Sequence, residues 1–214
     1  MAADGDPMVK ALIVRLDCWL TANRPEYYAM LQSGATEAEL DAVETQFSLV
    51  LPGAFRQLYR WRSGQDPMSA AALQMNRSFC TLEEVVSTKG ILDGMIGDDF
   101  DDPQYWRRGW VPFLHNGGGS YLCIDLVAED GGQPGQLIGF WKRDEDRTIE
   151  FPGVVEWLAD LVATMESGKL EVGLVAFRKT LPPQPLSPFR RAYLRWANGI
   201  GFVCHSRKRC VLCR

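Results

Sequence analysis

The residues closest to a reactive set surround one glycine turn. His115 precedes Asn116-Gly117-Gly118-Gly119, and Cys123 and Asp125 follow within a few positions, so a hairpin would place a thiol, an imidazole and a carboxylate near one another on paper. These residue types fit a structural role better: an imidazole beside a turn, a strand thiol, and an aspartate bonding backbone groups. The three glycines do not make a phosphate cradle, because a cradle leads into a helix N-terminus and this turn leads into a strand. The chain has two histidines, and no G-x-S-x-G, H-E-x-x-H or G-x-x-x-x-G-K signature. No enzyme is expected.

Two other groups bear on binding. In the segment from Gly97 to Trp106, Asp98, Asp99, Asp101 and Asp102 crowd into five positions and are followed by Tyr105 and Trp106. Such charges repel unless solvent or a cation relieves them. The alternating oxygen ligands and distal Glu of a calcium loop are missing. Two readings remain: a solvated loop, or a partner surface on which the carboxylates steer a basic protein and the two aromatics act as desolvated anchors. Near the C-terminus, Cys204, His205, Cys210 and Cys213 have spacing that suggests zinc, but adjacent Cys204 and His205 cannot easily turn onto one ion, so a disulfide or free thiols are expected.

Composition sets the frame for these groups. With 214 residues, 46% hydrophobic and 23% charged, the chain has the make-up of a globular protein with one core and an appendage. No stretch approaches the roughly 18 apolar residues of a membrane helix. Asp4 and Asp6 stand where a secretory signal needs basic residues, so a cytoplasmic protein with reduced, mostly buried thiols is expected. All 27 acidic residues lie at or before Glu171 with 14 of the 23 Lys and Arg, leaving nine basic residues and no acid after it. That asymmetry separates an acidic body from a basic extension and divides the chain into an N-terminal helical segment (1–34), a main domain (35–171) and an extension (172–214). The basic cluster of the extension admits nucleic-acid binding, but the chain is acidic overall. The expected arrangement instead packs Phe189, Tyr193 and Trp196 against the acidic body.

Helical spacing predicts one or two helices from about Pro7 to Leu31, interrupted at Pro25. Thr36 and Glu39 form a capping box, which starts a helix with Leu40, Val43 and Phe47 on one face and a stop at Leu51-Pro52. Pro52 opens another that ends at Ser63-Gly64. A second capping box, Thr81 with Glu84, predicts a helix reaching roughly Met95. From Trp110 the pattern turns to strands: WVPFLHNGGGSYLCIDLV reads as a hairpin with Leu122, Ile124 and Leu126 on one face and Tyr121, Cys123 and Asp125 on the other. LIGFWK adds a third strand and Thr148 to Phe151 a fourth, in an antiparallel arrangement. A helix from about Val154 to Gly168 closes an α+β layer.

This order resembles the SMI1/KNR4 family, also called the SUKH superfamily. The residues that carry the resemblance are the capping box at Thr36, LPGAFRQLYRWRSG, the hallmark-like WVPFLHNGGGSYLCIDL with Asp125, GQLIGFW and FPGVVEWLADLV, covering about residues 35 to 168. It implies an α+β fold without a cofactor and a protein-binding role. The resemblance points first to the bacterial members, and the expected function is an immunity protein that neutralises a cognate toxin acting in the cytoplasm, such as a nuclease, by direct binding. The alternative is a regulatory or scaffolding adaptor of the same family that binds an endogenous protein. The N-terminal helical segment and the Cys-containing basic tail depart from the simplest family pattern.

Overall fold

A computed structural model describes residues 5–169 apart from 70, 101, 103, 130 and 131. The described residues all fall within the first of two units of the chain, residues 1–178, and residues 179–214 lie outside the description. So do the expected tail helix, the Cys204 to Cys213 cluster and the boundary at 171/172.

Helix α1 (Pro7–Asn23) starts where the Asp6 carboxylate accepts the Met8 N–H at 2.8 Å, and it buries Val9, Leu12, Leu16 and Leu20. Pro25 interrupts the run by opening α2 (Pro25–Ala29). Both bonds of the Thr36–Glu39 capping box form at the start of α3 (Glu37–Phe47). That helix ends earlier than Leu51-Pro52 because Ser48 adopts a left-handed conformation, φ 52°, which a non-glycine sequence does not announce. Pro52 then caps α4 (Gly53–Trp61), and the Thr81–Glu84 box starts α5 (Leu82–Gly94).

The sheet is a five-stranded antiparallel meander: β1 (Ser78–Phe79), β2 (Trp110–His115), β3 (Tyr121–Asp125), β4 (Gln136–Phe140) and β5 (Thr148–Phe151), in that spatial order. Pro112 is tolerated inside β2 because β1 pairs only with Leu114 and His115 beyond it. Helix α6 (Val154–Glu166) follows. The protein is therefore α+β, with one strand more than the sequence announces: β1 is two residues long, too short for an alternation to show.

Both faces of the sheet are buried. Val111, Phe113, Leu122, Ile124 and Leu137 meet the apolar stripes of α1, α3, α4 and α6 in the main core. Residues of the first 34 belong to that same core, and Arg15 of α1 donates two bonds to the Glu166 carboxylate of α6, at 2.9 and 2.5 Å. On the other face Cys123, Ile138, Phe140 and Trp110 pack with Leu92 of α5 and Trp106 from the loop that follows it.

Candidate partner-binding surface

The aspartate segment is positioned by the end of α5. After the cap at Met95, the N–H groups of Asp98, Asp99 and Phe100 all turn toward the Met95 carbonyl, at 3.3, 3.0 and 3.0 Å, around Gly97 with φ +88°. This curl leaves Asp98 and Asp99 exposed. Asp102 is exposed too and accepts the Gln104 N–H at 2.8 Å, while Asp101 lies outside the described residues.

The two aromatics that follow part company. Tyr105 is half-buried, its ring 4.6 Å from Phe100 and 5.5 Å from Phe140, and its hydroxyl donates to the Lys142 carbonyl. Trp106 is 1% exposed, edge-on to Trp110 and Phe140, so it is a core residue and not the surface anchor expected from the sequence. Burial requires a partner for its indole N–H, which donates to Asp93 at 2.8 Å.

Asp93 belongs to a polar network that sequence reasoning missed. Lys89, fully buried on α5, donates to Asp93 at 2.9 Å and to the carbonyls of Arg108 and Trp110 at 2.5 and 3.3 Å. Burial pulls the Lys89 pKa down and the Asp93 carboxylate opposes that shift. The signal was a charge inside an apolar stripe, Val85, Lys89 and Leu92. This network ties α5 to the loop and to β2, and so fixes where the aspartates emerge.

A second acidic run joins them. The Arg147 guanidinium stacks over Tyr105 and Phe140, each ring centroid 4.7 Å away, and donates to the main-chain carbonyls of Tyr105, Asp144 and Asp146. Burial lowers its pKa, while Asp144 and Asp102, from the two separate loops, both raise it. Arg147, turned inward, thus lies between the loop that carries Asp102 and the loop that carries Asp144, and Asp98, Asp99, Glu145 and Asp146 are exposed on those same two loops.

The other singled-out residues do not converge. His115 pairs with Tyr121 whereas Asp125 pairs with Trp110 at the far end of the hairpin, about 13 Å along the strand. Asp125 is 3% exposed and accepts bonds from Val127 N, Ala128 N and Gln136 Nε2, which builds the turn after β3. His115 Nδ1 accepts the Gly117 N–H at 3.0 Å, and Asn116 Oδ1 accepts from Gly118 and Ser120. A cleft of about 190 Å³ lies here, lined by Cys80, Glu84, Thr88, His115, Gly117, Gly119 and Tyr121. Burial pushes the Cys80 and Cys123 thiols up, away from the reactive thiolate. Among the described residues no group of three or more His, Cys, Asp or Glu is placed to hold a metal, and no helix is long and apolar enough to cross a membrane.

An antiparallel meander clasped between a helical layer and an aromatic loop layer defines an α+β protein of the kind the capping boxes and the Trp110 hairpin announce. The profile of the SMI1/KNR4 family (SUKH-1) matches residues 34–160, and the chain belongs to that family. It is 25% identical to the cell wall biosynthesis/cell cycle regulator smi1 of Schizosaccharomyces pombe, over 72% of this chain and 36% of that protein. To the glucan synthesis regulatory protein of Neurospora crassa it is 22% identical, over 72% of this chain and 38% of that protein. A stretch of 55 residues is 44% identical to the F-box protein SKIP16 of Arabidopsis thaliana, 26% of this chain and 13% of that one. The chain spans little more than a third of the length of its fungal relatives.

Proposed function

We propose that this chain is a regulatory or scaffolding adaptor, acting in the cytoplasm by binding an endogenous protein without turnover. Family membership carries the reading, together with curated fungal relatives named as regulators of cell-wall biosynthesis and glucan synthesis. Those names favour regulation over the toxin neutralisation that a bacterial-type resemblance implied, and the toxin reading is set aside. The contact surface is the acidic face of Asp98, Asp99 and Asp102 with half-buried Tyr105, extended by Asp144, Glu145 and Asp146. Carboxylates there would accelerate the approach of a basic partner, and the Tyr105 ring offers area that needs little ordering, since its hydroxyl is bonded to the Lys142 carbonyl and the Arg147 guanidinium stacks on it.

The test is co-purification from native cells, comparing the chain with a variant carrying Asp98→Asn, Asp99→Asn and Asp102→Asn. A stoichiometric partner that is retained by the first at low salt and lost with the variant is the expected result. Identical partners and identical salt dependence for both would remove this face from the reading.

A further inference from the structure

The two edges of the sheet are finished differently. At the β1 edge, Phe79 donates its N–H to the Gln65 side chain at 2.9 Å, and its carbonyl accepts the Gln65 N–H at 3.0 Å, so the loop before β1 closes the edge. At the other edge, β5 pairs with β4 on one side, and among the described residues its main chain has no partner on the other. An exposed strand edge is a template for another strand, and proteins commonly blunt it with outward charge. Here the only charged side chain of β5, Glu150, is drawn back over the sheet into a two-bond pair with Arg77, at 2.7 and 2.6 Å. Gly139 leaves the room for it: a Cβ there would stand 2.3 Å from Glu150 Oε1. What β5 shows outward instead is Ile149, 49% exposed.

The charges around this edge select the partner's chemistry. Asp144, Glu145 and Asp146 immediately precede β5, and Glu156 follows it at the start of α6. Of the nearby cations, Arg147 is turned inward, and Lys142, exposed like Arg143, lies with its side chain against Gly119 beyond β4, so the four carboxylates outnumber the exposed cations. We propose that the outer edge of β5 receives an extended, basic segment of a partner protein as a sixth strand, with an apolar residue against Ile149 and Lys or Arg at its ends. The proposal rests on the protein-binding reading and adds the mode of binding. Main-chain bonds supply the affinity and the flanking carboxylates supply the selection.

The probe is a short, end-blocked peptide with Val and Thr at its centre and Lys at both ends, titrated into the isotope-labelled full chain. Two control peptides carry alternate N-methylated amides or Glu in place of Lys. Expected are shift changes and slowed amide exchange at Thr148 to Phe151, about tenfold weaker binding at high salt, and loss of binding with both controls. Ile149→Lys, at a half-exposed position of the edge strand, weakens binding by about tenfold as well. Equal binding of the N-methylated peptide, or no response at β5, overturns the proposal. Shifts confined to Asp98, Asp99 and Asp102 would sink the added strand while leaving the acidic surface and the adaptor reading standing.

Discussion

The two faces of the sheet are buried by different means. Toward α1, α3, α4 and α6 the core is a continuous apolar cluster in which Trp157, Phe113 and Phe55 are fully buried. Toward the α5 loop the cluster is smaller and depends on directional contacts: Lys89 to Asp93, Asp93 to Trp106, and Arg147 over Tyr105. Non-directional burial tolerates changes of partner, whereas a buried ion and its acceptors must all be present or the remaining group is stranded. The face that displays the acidic surface is therefore the one held by geometry.

The largest effect is expected on the helical face. Trp157→Ala removes a fully buried ring that meets Phe113 edge-on at 5.3 Å, and it strands Gln74, which accepts the indole N–H at 2.8 Å. A loss of about 3–5 kcal/mol is expected from denaturant unfolding, as a lower midpoint with a single transition. A loss under about 1 kcal/mol would mean that this core is less continuous than its contacts indicate.

Next comes Lys89→Met, which keeps the volume and removes the charge. Asp93 and the carbonyls of Arg108 and Trp110 lose their donor, and the Lys89 desolvation penalty disappears with it, for a net loss of about 2–4 kcal/mol. The contrast between the faces is sharpened by where the loss shows. Amides from Met95 to Gly109 should exchange faster and Trp106 fluorescence should shift red, with little change in α1 and α6. A uniform rise in exchange over the whole unit would break the distinction.

The parts of this molecule that were legible in the sequence are those fixed by bonds between near neighbours. Both capping boxes form between residues three apart, and the Trp110 to Asp125 hairpin alternates strongly enough to be seen. Asp125 bonds to the turn within three residues of itself, which is why the structural reading of that carboxylate fits what is seen. What escaped depends on distant partners. Ser48 ends α3 with a conformation no residue type signals, and β1 exists only because Leu114 and His115 lie beside it. Tyr121, Cys123 and Asp125 resemble a polar face, yet Cys123 and Asp125 are buried under the loop. Within the candidate surface the exposed aspartates were visible as a run, but a loop has no periodicity to say that Tyr105 lies near the surface and Trp106 beneath it. Arg147, which draws Asp144 to Asp146 toward that run, lies more than forty residues further along the chain.

The smallest effect separates the faces by pH. Bonds from the Thr36 main chain and hydroxyl hold the Glu39 carboxyl below its ordinary range, and the Arg15 side chain does the same for Glu166. Both groups therefore favour the folded state above the usual carboxylate pKa of about 4.3 and lose that contribution as pH falls through their lowered values. Both also lie on the helical layer. Thr36→Ala removes the acceptor of the Glu39 N–H and should lower stability by about 1 kcal/mol at neutral pH, with fraying confined to the first turn of α3. Because protonated Glu39 no longer completes the box in either protein, the gap between the wild type and Thr36→Ala should narrow below about pH 4. Lys89→Met removes no bond of Glu39 or Glu166, so it should leave the narrowing of the Thr36→Ala gap unchanged. A gap for Thr36→Ala that stays constant into strong acid would show that the hydroxyl acts through its bond to the Glu39 main chain alone.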